Sequence, residues 1–409
     1  MVVTGLGVVS PLGLNVADTW AGLVAGTSGA ATIKRFDPSP LEVRFGCEVK
    51  GFDPSPYIDR KEAKRYDLFL QYAVGAATQA MTDAGLGAQV PEPERAGVII
   101  GSGIGGIGTF EEQCRISIEQ GPKRVSPFFV PMFIPDIASG VVSIRTGAKG
   151  PNYCTVSACA SSAHALGESF RFIQTGVADL MITGGAEAAI TPLAVAGFTN
   201  MKALSTRNDE PARASRPFDK GRDGFVMGDG AGVLILEALE HATRRGARIY
   251  AEVLGYGLTG DAHHITQPAP GGEGAQRAMR MALDDAGVAR TEVGYINTHG
   301  TSTPLGDVGE VNAVKAVFGQ HAHTMIVGST KSMTGHLLGA AGGLEFAICV
   351  LAMHHGVIPP TINQDEPDPE CDLNCAPNQA VKRQVEVAVS NSFGFGGHNV
   401  SLVVRRHAA

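Results

Sequence analysis

A strand–helix pattern that occurs twice constrains this chain more than any other feature. Residues 69–87 read as a helix ending at Asp83-Ala84-Gly85, and the strand Gly97-Val98-Ile99-Ile100-Gly101 then runs into a glycine-rich loop. Residues 275–287 again read as a helix ending in Asp-Ala-Gly, and Val293-Gly294-Tyr295-Ile296-Asn297 runs into the loop around His299. The register continues. Strand, small-residue loop and helix around Cys159 match strand, loop and helix around Lys331 and His336, and residues 178–185 match residues 387–391. Alternating strands and helices predict α/β layers with largely buried sheets. The repeat predicts two pseudo-equivalent halves, residues 1–248 and 249–409, joined near 245–255 where Arg244-Arg245-Gly246 ends a helix.

Bulk properties exclude several classes. The chain has 409 residues, 44% apolar and 18% charged, which suits a soluble globular protein with a large core. No apolar run nears the length of a membrane span, and the N-terminus starts in a strand-like run without a basic segment and cleavage site. Seven cysteines, an odd number at irregular spacing, argue against a disulfide framework and for a cytoplasmic location. Cys371 and Cys375 form the only close pair, and no further zinc ligands stand at matching spacing. A net charge of −7 argues against nucleic acid as a partner. The local exception is Arg60-Lys61-Glu62-Ala63-Lys64-Arg65, where Lys61, Lys64 and Arg65 would share a helical face. The run Gly101-Ser102-Gly103-Ile104-Gly105-Gly106 lacks the dinucleotide-binding spacing and is not read as a nucleotide loop.

Three further segments carry chemistry. Cys159 lies in Thr155-Val156-Ser157-Ala158-Cys159-Ala160-Ser161-Ser162-Ala163, just before residues that read as a helix to Gln174. Small neighbours admit a substrate closely, and a thiol at a helix N-terminus is expected to favour thiolate. A free cysteine among small apolar residues is, however, more often plain core. The loops Asn297-Thr298-His299-Gly300-Thr301-Ser302-Thr303 and Gly328-Ser329-Thr330-Lys331-Ser332-Met333-Thr334-Gly335-His336 add two histidines, and the tail carries Asn391-Ser392-Phe393-Gly394-Phe395-Gly396-Gly397.

With these motifs in this order, the chain resembles the β-ketoacyl-[acyl-carrier-protein] synthases, and most of all their stand-alone synthase II type. The likeness runs from Val2-Val3-Thr4-Gly5-Leu6-Gly7 to the final strand. It implies a thiolase-like fold, two pseudo-symmetric halves in five layers, with two mixed sheets among helices. It implies Cys159 as acyl carrier and nucleophile, with His299 and His336 as hydrogen-bond donors to the malonyl thioester oxygen. The backbone N–H groups of Cys159 and Phe395 become the second oxyanion site, and Phe395, between glycines, a mobile aromatic gate. Lys331 and Glu345 form a supporting pair, and Asp307 orders the His299 loop. Thr301, Thr303 and Thr266 bind the 4'-phosphopantetheine arm, which enters with the carrier protein; no other cofactor is required. Ile104 and Phe198 line the acyl pocket, Ile104 limiting its depth. Lys61, Lys64 and Arg65 dock the acidic acyl carrier protein. Asn297, Glu345, Ser390 and Asn391 resemble positions that hold a structural cation or water in some relatives, and a homodimer is implied.

The expected reaction is decarboxylative condensation of acyl- and malonyl-thioesters of the carrier protein. Relatives primed from coenzyme A pair Cys with His and Asn, and thiolases use a second Cys; this chain has neither pattern. A polyketide ketosynthase shares the same site and stays the enzymatic alternative. A non-condensing chain-length subunit, of a different class, would lack Cys159. One departure stands in the tail: the family usually has Thr after Gly-Phe-Gly-Gly, and this chain has His398.

Overall fold

The structure, a computed structural model, describes residues 1–407. In the first half, strands β1 (Val2–Val9), β2 (Ala96–Gly101), β3 (Asn152–Tyr153), β4 (Leu180–Glu187) and β5 (Gly230–Glu237) pair in the order β1-β5-β4-β2-β3. In the second, β6 (Ala251–Gly260), β7 (Val293–Asn297), β8 (Ile326–Gly328), β9 (Val387–Gly394) and β10 (His398–Arg406) pair as β6-β10-β9-β7-β8. Strand directions match as well. In each half the first three strands alternate in direction, and the last two run parallel to the third.

The helices follow the same duplication. Helix α1 (Leu68–Asp83) corresponds to α4 (Glu273–Ala286), α2 (Ile137–Thr146) to α5 (Pro304–Phe318), and α3 (Ser161–Gln174) to α6 (Ala341–His355). The outer helices are amphipathic: α4 buries Gly274, Ala275, Ala278, Met279, Ala282 and Leu283, one face at helical spacing. By contrast α6 buries every residue from Ala341 to Met353, because it lies with α3 between the two sheets. Three clusters fill the gaps. One joins α1 to the outer face of the first sheet, another α4 and α5 to that of the second, and the central one surrounds α3 and α6. Five layers result, as the family likeness implied.

Two expectations need correction. The two sheets are not separate, since Val2 pairs with Glu252 and Val3 with Ala251, making one run of ten strands across the junction. One apolar stretch does reach spanning length: Leu338–His355 forms eighteen continuous helical residues, 89% buried inside the protein. Its hydrophobicity serves the middle layer, which has protein on all sides.

The duplication extends to the contacts of single atoms. Glycines at alternate positions of β1 and β6 let α1 and α4 lie directly on the sheet. A Cβ on Gly7 would sit 1.9 Å from the Ala76 carbonyl oxygen, and one on Gly257 2.0 Å from that of Ala278. Neither backbone can yield without lifting a helix off its sheet. Gly257→Ala is therefore expected to destabilise by about 1–3 kcal/mol, measured as a lower denaturant midpoint; an unchanged midpoint would show that the helix is free to shift.

Candidate active site

The C-terminal ends of β2, β4, β7 and β9 point to one side of the molecule, and their loops enclose a cavity of about 570 Å³. Cys159 reaches it from the turn before α3. Ala158 adopts a left-handed conformation, φ 51°, which turns the chain sharply. The turn is held by Ser161, whose Oγ donates to the Ala158 carbonyl (2.7 Å) and accepts from Ser157 N–H (2.9 Å). His336 follows a single helical turn, Lys331–Thr334. Its N–H donates to the Val226 carbonyl (2.7 Å) and its own carbonyl accepts from Gly228 N–H (2.8 Å). His299 stands just beyond β7. Glu310 of α5 accepts from its N–H at 2.9 Å and from Gly300 N–H at 2.8 Å.

These turns bring together three side chains from distant parts of the chain. One reactive atom each from Cys159, His299 and His336 lies within 4.8 Å of the others, the only such group of possible metal-ligating side chains among the described residues. The two imidazole rings meet edge to face, centroids 5.2 Å apart. Cys159 is 8% exposed and His336 2%. Nδ1 of His299 and both ring nitrogens of His336 are buried without a hydrogen-bond partner in the protein.

Burial dominates the electrostatics. It holds both imidazoles well below the ordinary histidine range, and the nearby Lys331 charge pushes the same way. Both rings are thus neutral at physiological pH, each with one N–H to donate. Burial also pushes the Cys159 thiol up to about 12; Lys331 and the backbone N–H groups of Phe395 and Cys159 oppose this without prevailing. The thiolate expected from the helix N-terminus is therefore not the resting state. Desolvation of a buried sulfur outweighs the local dipoles.

The surrounding residues separate into several groups. Phe395, Thr301, Thr303, Thr266, Ile104 and Phe198 all line the cavity with the three central side chains. Thr301 and Thr303 face each other, Oγ1 to Oγ1 at 3.1 Å. Phe395 sits in the turn between β9 and β10, where Gly396 and Gly397 take φ of 89° and 75°. Lys331 lies behind the histidines, buried and ion-paired with Glu345, whose carboxyl burial pushes up to about 7. Asp307 accepts from Ser302 N–H (3.2 Å) and Phe218 N–H (2.9 Å), so it joins the end of the His299 loop to a neighbouring segment. The support directly beneath His299 comes from Glu310, which the sequence reading missed. Its place three residues after Asp307 on one helix face was the available signal.

The four positions compared with a cation site are less uniform. Asn297 Oδ1 and Glu345 Oε2 are buried without partners, as a cation's ligands would be. Asn391, however, accepts from Ser401 Oγ (2.8 Å) and donates to Glu310 (3.2 Å), and Ser390 is buried in β9. Asn391 therefore fits such a site poorly. Lys61, Lys64 and Arg65 lie exposed on the surface, outside the cavity lining. The helix expected over residues 60–65 ends at Ala63, with Lys64 as its cap; Arg65 stacks its guanidinium 4.3 Å over the Phe128 ring. His398 packs beside Gly396, its ring 6.4 Å from that of His164.

A duplicated α/β fold with a cysteine and two neutral histidines over a deep cavity has the architecture of thiolase-like condensing enzymes. The chain matches the beta-ketoacyl synthase N-terminal domain over residues 1–242 and the C-terminal domain over residues 250–365, and it belongs to that family. A 3-oxoacyl-[acyl-carrier-protein] synthase 2 from Synechocystis sp. is 54% identical over 407 residues, covering 100% of this chain and 98% of the relative. A synthase of the same name from Staphylococcus aureus is 53% identical over 409 residues, covering 100% and 99%. Among solved structures, a type II polyketide ketosynthase bound to a hexaketide, in complex with its acyl-carrier protein, superposes with a TM-score of 0.92 at 35% identity, covering 100% and 99%.

The titration order is open to measurement. Alkylation of Cys159 by iodoacetamide, followed by peptide mass spectrometry, should accelerate about tenfold per pH unit up to at least about pH 9. Labelled His299 and His336 should show no imidazole titration above about pH 6. A plateau in alkylation below about pH 8 would mean that the thiolate is the resting form after all.

Proposed function

We propose that this chain is a 3-oxoacyl-[acyl-carrier-protein] synthase, an acyltransferase that lengthens an acyl chain by decarboxylative condensation in fatty acid synthesis. The observation that carries this reading is the convergence of Cys159, His299 and His336 within 4.8 Å at one cavity, with both imidazoles neutral.

The chemistry proceeds in three steps. Cys159 Sγ attacks the carbonyl of an acyl thioester, the carrier's C–S bond breaks, and the thiol proton ends on the departing pantetheine sulfur. A malonyl thioester then loses carbon dioxide. The electron pair of the broken C–C bond moves into an enolate, whose oxygen accepts hydrogen bonds from the N–H groups of His299 and His336. A protonated imidazole would give its proton up to the enolate; the neutral ring donates a hydrogen bond and keeps it. The enolate carbon attacks the acyl-Cys carbonyl, and Cys159 leaves as thiolate and takes one proton from solvent. The N–H groups of Cys159 and Phe395 already lie beside Sγ, where the acyl oxygen would gather charge. Burial keeps both imidazoles neutral, and Lys331, ion-paired with Glu345 behind them, pushes the same way.

The remaining assignments follow the cavity. Thr301, Thr303 and Thr266 would hold the phosphopantetheine arm, Phe395 would gate its entry, and Ile104 and Phe198 would wall the acyl chain. The exposed Lys61, Lys64 and Arg65 suit docking of an acidic carrier protein, and a homodimer belongs to the same reading. Polyketide synthesis is the secondary reading, since the polyketide ketosynthase is 35% identical against 54% for the 3-oxoacyl-[acyl-carrier-protein] synthase 2 from Synechocystis sp..

Intact-mass spectrometry with a series of acyl-carrier proteins tests the proposal. An adduct on Cys159 should form and then disappear on adding malonyl-carrier protein, as a 3-oxo product two carbons longer appears. Cys159→Ala should abolish both, and His299→Ala or His336→Ala should slow malonyl decarboxylation by about 10²–10³. A folded protein that takes no acyl chain would instead favour a non-condensing subunit.

A further inference from the structure

Apart from these residues, one buried titratable group touches two walls of the same cavity. Glu187 closes β4 with its side chain fully buried. Its Oε1 accepts from Ser102 Oγ (2.8 Å) and Ile104 N–H (3.2 Å). Its Oε2 accepts from Gly103 N–H (2.7 Å) and Gly339 N–H (2.9 Å). The glycine-rich loop that lacks dinucleotide spacing therefore does cradle an acidic group, but that group belongs to the protein. The carboxylate also joins two segments that face Cys159. Gly103 and Ile104 line the cavity on one side, and Leu338, held at φ 48° just after His336, lines it on another. A Cβ on Gly339 would lie 2.1 Å from Gly103 N and 2.5 Å from Glu187 Oε2, so the two loops meet with no room to spare.

We propose that Glu187 is a positioning residue for acyl-chain selectivity. It fixes Ile104 against the cavity through the N–H groups of residues 103 and 104, and ties that loop to the turn behind His336. The inference rests on the condensing-enzyme reading, with the chain running past Ile104. Both oxygens of a carboxylate accept, and four donors saturate them. A glutamine offers one accepting oxygen and turns its NH₂ toward the other two donors, so one side of the clamp opens. Burial pushes the Glu187 carboxyl up to about 7, while the hydrogen bonds from its donors pull it down. Ser102 adds a milder lever, because its Oγ also accepts from Gly105 N–H at 3.0 Å.

The test follows acylation of Cys159 by intact mass, using six-carbon and fourteen-carbon acyl-carrier proteins, in wild type, Glu187→Gln and Ser102→Ala. A freed Ile104 should favour the longer chain. The long-to-short rate ratio is expected to rise about tenfold in Glu187→Gln and by a smaller factor in Ser102→Ala. If Glu187→Gln does not fold, Ser102→Ala decides alone. Equal slowing of both chains, or an unmoved ratio, overturns the inference and leaves Glu187 a general support. Wild type that takes neither chain overturns the condensing-enzyme reading itself, and the inference with it.

Discussion

The contact between the two central helices sets the rest of the structure. Helices α3 and α6 start beside each other between the sheets, and their first turns leave no space for side chains. A Cβ on Gly342 would lie 2.9 Å from Ala163 Cβ and 3.0 Å from Ala163 N, and Gly343 N–H donates to Ser162 Oγ at 2.8 Å. Because the helices begin at one level, the turns that precede them end at one place. Cys159 stands before the first helix and His336 before the second, so packing in the middle layer brings the thiol to the imidazole.

The same burial governs the chemistry. Burial raises the thiol and lowers both imidazoles, and the buried Lys331 behind them is matched by Glu345. Neutral imidazoles suit an enolate, which needs donors that do not surrender their protons. The carboxylates beneath the loops serve a different end: Glu187 and Glu310 each bind backbone N–H groups at the carboxyl end of a strand, holding Ile104 in one half and His299 in the other. They are buried acids whose task is to shape loops.

Much of this was legible in the residues. The repeat announced itself through paired helices ending in Asp-Ala-Gly and paired strands ending in small-residue loops, since helical and strand periodicities are local properties. Cys159, His299 and His336 stood out because each sits in a loop of small residues. Glu187 and Glu310 did not: an acid at the end of an apolar strand, or on a helix, is usually solvated, and only the structure shows four N–H and O–H donors converging on one of them. The basic run at residues 60–65 read as one helix because its charges fall at helical spacing, yet the helix ends at Ala63.

By itself the sequence determined the duplicated α/β plan, the inward-facing apolar strands and the family, because periodicity, turn residues and motif order are written along the chain. The tertiary structure alone decided that the two sheets join through β1 and β6, that the longest apolar helix is a core layer, and that Cys159 rests as a thiol. Each of these depends on what surrounds a residue on every side. Neighbours hundreds of positions away supply that environment, and no local pattern records their distance or the water they exclude.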